Sequence, residues 1–183
     1  MKYKVIVITF FIGLILILMN IKPLGRHFNT LKYNEFITKY STEYSLDPYL
    51  VAALIKAESN FNKNAKSQKD AYGLMQITEK TGQWAAGEMK ISNFNSDLLY
   101  DPEFNIKMGC WYLDNLKKQF NGNMDVVLAA YNGGRGNVQK WLNNAQHSTD
   151  GSSLNYIPFK ETDKYVKRVN TNYKIYKFLY PRM

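Results

Sequence analysis

The chain has 183 residues, 45% of them hydrophobic, which is one domain's length with enough apolar content for a buried core. Its formal net charge is +9, but Lys2, Lys4, Lys22 and Arg26 lie in or beside an apolar N-terminal run, and the remaining +5 is too small to indicate nucleic acid without a motif. One cysteine, Cys110, and two histidines exclude an internal disulfide and a zinc constellation, so we expect no cofactor.

Residues 5–21 form an almost unbroken apolar run that follows two lysines. As a helix the run would span roughly 26 Å, enough to cross a bilayer with some thinning, and the basic residues before it favour a cytoplasmic N-terminus. A cleaved signal peptide is the alternative, although residues 19–22 offer no small-x-small cleavage site. We predict a membrane anchor at 1–22, a linker with Pro23 and Gly25 at 23–32, and an extracytoplasmic domain at 33–183.

Helical patterns follow one another through that domain, separated by polar loops expected at 60–72, 90–100 and 145–155. No segment alternates apolar and polar residues for more than a few positions, so the predicted fold class is all-α, or α with a minimal β element. The predicted helices begin near Tyr33, at Pro48 after Asp47, after Thr78, at Pro102 after Asp101, at Asp125, at Asn137 and near Glu161, and the last ends near Leu179.

The helix that begins at Pro48 carries Glu58 on its apolar face, seven residues after Val51. Desolvation and the negative end of the helix dipole both disfavour the ionised carboxylate and therefore raise its pKa. A raised pKa is what a general acid working near neutral pH requires. The alternative is a Glu58 side chain that points into solvent at the helix end, and spacing alone leaves both interpretations open.

Two other chemistries are disfavoured by the motifs. The glycines at 133–136 follow a helix rather than a strand and lack a following Lys-Ser/Thr pair, so they indicate a helix break and not a nucleotide site. No Gly-x-Ser-x-Gly motif occurs, and neither histidine has a nucleophile near it in sequence. Cys110 is predicted to be a small core residue.

Four segments in order along the chain carry a larger pattern. They are Glu58-Ser59-x-Phe61 with Ala65-x-Ser67 and Gly73-Leu74-Met75-Gln76-Ile77, then Asp101-Pro102-x-x-Asn105-Ile106-x-x-Gly109-x-x-Tyr112-Leu113, then Ala129-Ala130-Tyr131-Asn132-x-Gly134-x-Gly136-x-Val138, and Ile157-Pro158-x-x-Glu161-Thr162-x-x-Tyr165-Val166. Together they resemble the signature of the lytic transglycosylases that share the goose-type-lysozyme fold. The departures are Asn64, Glu79 and Arg135, where that family commonly has Pro, and Gly133 in place of a common Ala.

The resemblance implies cleavage of the β-1,4 bond between N-acetylmuramic acid and N-acetylglucosamine in peptidoglycan, without water. Glu58 would first protonate the glycosidic oxygen while the N-acetyl group stabilises the oxocarbenium ion. The ionised Glu58 would then take the proton from the C6 hydroxyl, which closes onto C1 and leaves a 1,6-anhydro end.

The resemblance also implies substrate-binding or supporting roles for seven further residues. They are Ser67 and Gln76 lining the cleft, Met75 packed beneath it, Tyr131 beside Glu58 or the scissile sugar, Asn132 on an N-acetyl group, Glu161 supporting the Tyr131 loop, and Tyr165 flanking the cleft. A turn hydroxyl for Ser67 and a first-turn carboxylate at a helix dipole for Glu161 are the structural alternatives.

Three other functions stay open: a goose-type-lysozyme-like hydrolase, a wall-binding module without activity, and, least favoured, an all-helical DNA-binding domain. The expected partners are peptidoglycan glycan strands and the membrane through the N-terminal helix, with no nucleic acid. The expected location is a single-pass protein of the cell membrane, or a secreted one. Wall remodelling, sporulation, secretion and conjugation would all use such a domain, and the sequence does not choose among them.

Overall fold

The computed structural model describes residues 2–181 and is mostly helical, as predicted, with one minimal β-hairpin. The helices are α1 Lys2–Phe28, α2 Asn34–Glu43, α3 Pro48–Ser59, α4 Glu79–Glu88, a 3₁₀ helix Ser96–Tyr100, α5 Pro102–Gln119, α6 Met124–Gly133, α7 Arg135–Leu142 and α8 Lys160–Leu179. The hairpin joins β1 Ala71–Tyr72 to β2 Ile77–Thr78 in antiparallel register, with Ala71 opposite Thr78 and Tyr72 opposite Ile77.

Side-chain caps start three of these helices at the predicted positions. Asp47 accepts a hydrogen bond from the Tyr49 amide at 2.8 Å, and Asp101 accepts one from Phe104 at 2.8 Å. Thr78 accepts one from the Thr81 amide at 3.2 Å. Each bond satisfies an amide that the first helical turn leaves without a partner, which is why the local sequence alone fixes these starts.

The core is built on α8, against which α3 and α6 both pack. Residues 51–55 of α3 and 127–130 of α6 are completely buried, and so is Val169 of α8 between them. Cys110 is buried in the same cluster, as predicted. This packing fixes the C-terminal end of α3, where Glu58 lies, against the N-terminal half of α8.

The segment predicted as a linker is different in the structure, because α1 continues through Pro23 to Phe28. Gly25 lies against α8, where a Cβ would come within 2.6 Å of Leu179 Cδ2, so this glycine permits close helix contact rather than a bend. Arg26 donates from Nε to the Leu179 carbonyl at 2.9 Å. Only residues 29–33 join the helices, and the division into anchor and domain stays a prediction.

Within residues 2–181, α1 is the helix long and apolar enough to cross a membrane, judged by length and composition. A signal sequence near the N-terminus passes the same test. The structure is therefore compatible with an anchor and with a cleaved leader.

Candidate active site

Glu58 lies in the last turn of α3, one residue before the helix ends. Its side chain is partly buried, and desolvation raises its pKa from an ordinary 4.5 to about 7. Among the described carboxyl groups with a clear shift, Glu58 is the one whose pKa is raised, since those of Glu103 and Asp150 are lowered. At neutral pH a large fraction of Glu58 therefore carries the proton that a general acid donates.

Two groups on α8 act against that desolvation. Tyr165 is fully buried and directs its hydroxyl at Glu58, which lowers the carboxyl pKa, and the positive charge of Arg168 lowers it further. The Tyr165 hydroxyl falls short of full hydrogen-bond geometry with Glu58 and has no other partner among residues 2–181. A donor and a positive charge are thus available to the carboxylate once Glu58 has lost its proton.

Tyr131 forms another side of the site. Its hydroxyl donates to the Met75 carbonyl at 2.8 Å, and its ring contacts Tyr112 with centroids 5.2 Å apart. Burial raises the Tyr131 pKa well above its ordinary value, and the nearby charge of Glu58 raises it further. Tyr131 therefore stays neutral near Glu58 with its hydroxyl on the Met75 carbonyl, and its expected role at the scissile sugar stays a prediction.

The loop between β1 and β2 is held rigidly against this site by two residues that the sequence analysis quoted but gave no role. Asn105, fully buried in α5, accepts from the Met75 amide at 2.8 Å and donates to the carbonyls of Tyr72 and Leu99 at 2.9 and 2.7 Å. Ser59 donates to the Leu74 carbonyl at 2.8 Å. In the sequence, the position of Asn105 next to Ile106 and Gly109, on the buried stripe of a helix, could have indicated a buried polar side chain with hydrogen-bond partners.

Glycine is required at the start of this loop. Gly73 has φ +73°, and a Cβ there would collide with the Leu99 carbonyl and the Asn105 side chain. A larger residue would push the loop away from the buried Asn105 and so from Glu58.

Three of the predicted cleft residues serve mainly to build the loop. Ser67 Oγ accepts hydrogen bonds from the amides of Lys69 and Ala71, both at 3.1 Å. The Ser67 hydroxyl thus stabilises a turn, which was the structural alternative to a role in substrate binding. Gln76 donates from its amide to the carbonyls of Gly73 and Ala65, at 3.0 and 3.3 Å. Met75 is fully buried against Gly109, so its side chain packs beneath the site and does not face substrate.

The remaining predicted residues lie near the start of α8. Asn132 accepts from the Thr162 hydroxyl at 2.9 Å, which leaves its amide group available. Glu161 is exposed and pairs loosely with Lys69 at 3.9 Å, so it supports neither the Tyr131 loop nor a backbone amide through a hydrogen bond. Its charge still reaches Glu58, where it raises the pKa.

A row of partly buried aromatic rings continues from Tyr131. Tyr112 contacts Trp84 with centroids 6.1 Å apart, and Trp84 contacts Trp111 at 5.0 Å. We call Tyr131, Tyr112, Trp84 and Trp111 the aromatic wall. Flat apolar faces with polar edges are suited to stacking against sugar rings. No group of three or more metal-binding side chains occurs in the part of the chain that the structure describes.

The mostly helical domain with its minimal hairpin has a lysozyme-like fold, and it holds Glu58, a carboxyl of raised pKa, near Tyr131 and Tyr165. The chain matches the family model described as Transglycosylase SLT domain over residues 35–153. It therefore belongs to this family, which confirms the resemblance read from the four segments.

Individual relatives agree with that assignment. The chain is 36% identical over 141 residues to the soluble lytic murein transglycosylases of Escherichia coli K12 and Salmonella typhimurium LT2, a match that covers 76% of this chain and 22% of the E. coli protein. This chain thus spans about a fifth of the length of those curated relatives.

Solved structures show the same fold. The 70-kDa soluble lytic transglycosylase SLT70 of E. coli matches with a TM-score of 0.75 at 30% identity, covering 84% of this chain and 25% of that one. The lytic transglycosylase Slt of Pseudomonas aeruginosa, solved as an inactive mutant, matches with a TM-score of 0.72 at 29% identity, covering 81% and 24%. A complex of the 70-kDa soluble lytic transglycosylase with bulgecin A matches with a TM-score of 0.75 at 31% identity, covering 84% of this chain and 25% of that one.

Proposed function

We propose that this chain is a membrane-anchored peptidoglycan lytic transglycosylase that uses Glu58 first as general acid and then as general base. The observation that carries the proposal is the position of Glu58: a desolvated carboxyl with a pKa of about 7, set between Tyr165 and Tyr131. The name of the soluble lytic murein transglycosylase to which the chain is similar supplies the substrate class, murein. The β-1,4 bond of the glycan strand is the one that the resemblance of the four segments implies.

In the first step the protonated Glu58 donates to the glycosidic oxygen, and the bond to C1 breaks. The oxocarbenium charge that develops on the muramic residue is stabilised by the N-acetyl group of that same sugar. Since the neighbouring group of the substrate does this work, the protein needs no carboxylate nucleophile. Asn132, whose side-chain amide is free to donate, is suited to holding the N-acetyl group in place.

In the second step the Glu58 carboxylate takes a proton from the C6 hydroxyl, and the resulting oxygen closes onto C1. The unpaired Tyr165 hydroxyl and the Arg168 charge stabilise the carboxylate between the two steps. They also prevent the pKa from rising so far that Glu58 could not lose its proton. One group serves as acid and then as base, and its near-neutral pKa suits both roles.

The end of α1 and the segment that follows it are joined to the domain by hydrogen bonds of residues 26–31. Besides the Arg26 bond to Leu179, the Tyr180 hydroxyl donates to the Asn29 carbonyl at 2.9 Å and accepts from the Leu31 amide at 3.2 Å. Lys56 donates to the Phe28 carbonyl at 3.1 Å. All of these residues follow position 22, so the proposed retention of the anchor rests on the length and apolar composition of α1.

The test is product analysis on purified sacculi, comparing the wild type with Glu58→Gln. Glutamine keeps the shape of the side chain but cannot donate the proton, so release of muropeptides should fall at least about a thousandfold while the fold persists. Wild-type products should carry anhydro ends, lighter by one water than reducing ends. Undiminished release by Glu58→Gln would remove Glu58 from the mechanism.

Glu161 provides the test against the hydrolase alternative, because its charge reaches Glu58 and a water-activating base needs a second carboxylate. Under our proposal Glu161→Gln keeps most of the activity, since the wild-type carboxylate is exposed and acts on no substrate atom. Loss of activity in Glu161→Gln together with reducing-end products would establish hydrolysis.

A further inference from the structure

Arg135, the first residue of α7, is a charged residue to which the proposed reaction assigns no role. Its guanidinium lies over the ring of Trp84, 4.5 Å from the centroid, and its side chain is exposed. Within residues 2–181 it forms no ion pair with any carboxylate. The four segments that define the resemblance lead one to expect an uncharged Pro here, so the charge is a property of this chain.

The aromatic wall connects Arg135 to the site of bond cleavage. Trp84, beneath the guanidinium, contacts Tyr112, and Tyr112 in turn contacts Tyr131 beside Glu58. The positive charge of Arg135 is also felt at Tyr112, where it lowers a pKa that burial raises. Arg135 is therefore connected to the surroundings of Glu58 by continuous ring contacts of the aromatic wall.

The surroundings of Trp84 make this positive charge distinctive. Trp84 also lines a surface hollow of about 650 Å³, whose charged lining residues are Lys69, Asp70, Glu79 and Lys80. Those two cations and two anions balance each other, whereas Arg135 has no anion to balance it. A guanidinium stacked on an indole keeps its N–H edge free, in the planar geometry that matches a carboxylate.

We propose that Arg135 and Trp84 form a subsite for a carboxylate of the peptide stem carried by the muramic residue. This inference rests on the proposed function, since it assumes a peptidoglycan strand at Glu58. A stem of four residues extends roughly 14 Å from its sugar. That reach exceeds the combined 5.2 and 6.1 Å centroid separations that lead from Tyr131 through Tyr112 to Trp84. The stem would thus lie along the aromatic wall with its acidic end on the guanidinium.

The kinetic test compares glycan chains that carry their stems with the same chains stripped of stems by an amidase. On the stem-bearing chains Arg135→Gln should lower kcat/KM about five- to tenfold, mainly by raising KM. This loss should be smaller at high salt, because salt screens the charge of Arg135. On the stripped chains the same variant should lower kcat/KM less than twofold. Arg135→Lys keeps the positive charge but not the planar guanidinium, so its kcat/KM on the stem-bearing chains should lie between those of the wild type and Arg135→Gln. Lys140→Gln removes an equal charge from an exposed position on the same helix and should change neither rate.

A binding test needs no turnover. An N-acetylmuramoyl tetrapeptide with free carboxylates, whose stem spans the path from Tyr131 to Trp84, should change the tryptophan fluorescence of the wild type and of Lys140→Gln. The change should be several-fold weaker in Arg135→Gln. The corresponding carboxamide should bind all three proteins equally. The subsite would be overturned if Arg135→Gln lost the same kcat/KM on stem-bearing and on stripped chains, or lost none on either. It would also be overturned if the wild type bound the acid and the carboxamide equally. If the wild type releases no anhydro products, the proposed function fails, and this binding comparison alone decides the subsite.

Discussion

Replacing Glu58 by Gln should stabilise the folded protein at alkaline pH and have little effect at acid pH. The pKa of Glu58 rises from 4.5 to about 7 on folding because the site desolvates its charged form. A shift of that size corresponds to roughly 3 kcal/mol when the group is fully ionised in both states. At pH 5 most of this cost is absent, so the difference between pH 5 and pH 8.5 should be about 2 to 3 kcal/mol.

The sign follows from proton binding. Between pH 4.5 and 7 the folded state holds the Glu58 proton while the unfolded state has released it, so raising the pH favours unfolding. Glutamine has no proton to lose, and the variant should escape this penalty. The measurement is the free energy of unfolding in denaturant at pH 5 and pH 8.5 for both proteins.

Glu88→Gln is the matched control, because Glu88 also lies in the last turn of a helix but is exposed. The Glu88 variant should differ from the wild type by the same amount at both pH values. The reasoning about Glu58 would be refuted if Glu58→Gln also gave a pH-independent difference, or if it destabilised the protein at pH 8.5.

Two further predictions concern the supports of the site. Asn105→Leu removes three buried hydrogen bonds to the hairpin loop and should cost about 3 to 5 kcal/mol in unfolding free energy; a loss below about 1 kcal/mol would contradict this account of the loop. Gly25→Leu should separate α1 from Leu179 and make residues 29–33 much more sensitive to protease. Gly13→Leu is the control and should not have this effect, because there is open space around Gly13. Equal protease sensitivity of the two variants would show that the contact between Gly25 and Leu179 does not hold α1 against the domain.

Much of the fold was accessible from the sequence because the decisive signals are local. Asp47, Thr78 and Asp101 cap helices with their own side chains, so their meaning does not depend on distant residues. The raised pKa of Glu58 was also predictable, since the face on which it lies is set by its spacing from Val51. The interpretation in which Glu58 points into solvent is wrong, because α8 covers it.

The roles of individual loop residues were less predictable because they depend on partners far along the chain. The Met75 carbonyl is a partner of Tyr131, which follows 56 residues later, while its side chain is in the core. Spacing cannot tell whether a side chain or a backbone atom makes such a contact. Gln76 and Ser67 were therefore predicted to face substrate, whereas their observed hydrogen bonds are within the loop itself.

The residues 23–32 show the opposite difficulty. Pro23 and Gly25 are typical of linkers, but in the structure Pro23 lies within α1. Gly25 lies where a Cβ would come close to the Leu179 side chain, so its small size allows the two helices to approach. A glycine required for contact and a glycine required for flexibility look alike in a sequence. Only the neighbouring helix distinguishes them.

The two ends of α8 connect the proposed chemistry to the proposed anchor. Tyr165, near the start of α8, faces Glu58, and Leu179, at its end, contacts α1. Fourteen residues of continuous helix separate them by roughly 20 Å. Because α3 packs along the same helix, the contact of Leu179 with the end of α1 lies on the same scaffold as Glu58. If α1 spans the membrane, the proposed activity would be directed at glycan strands near the bilayer.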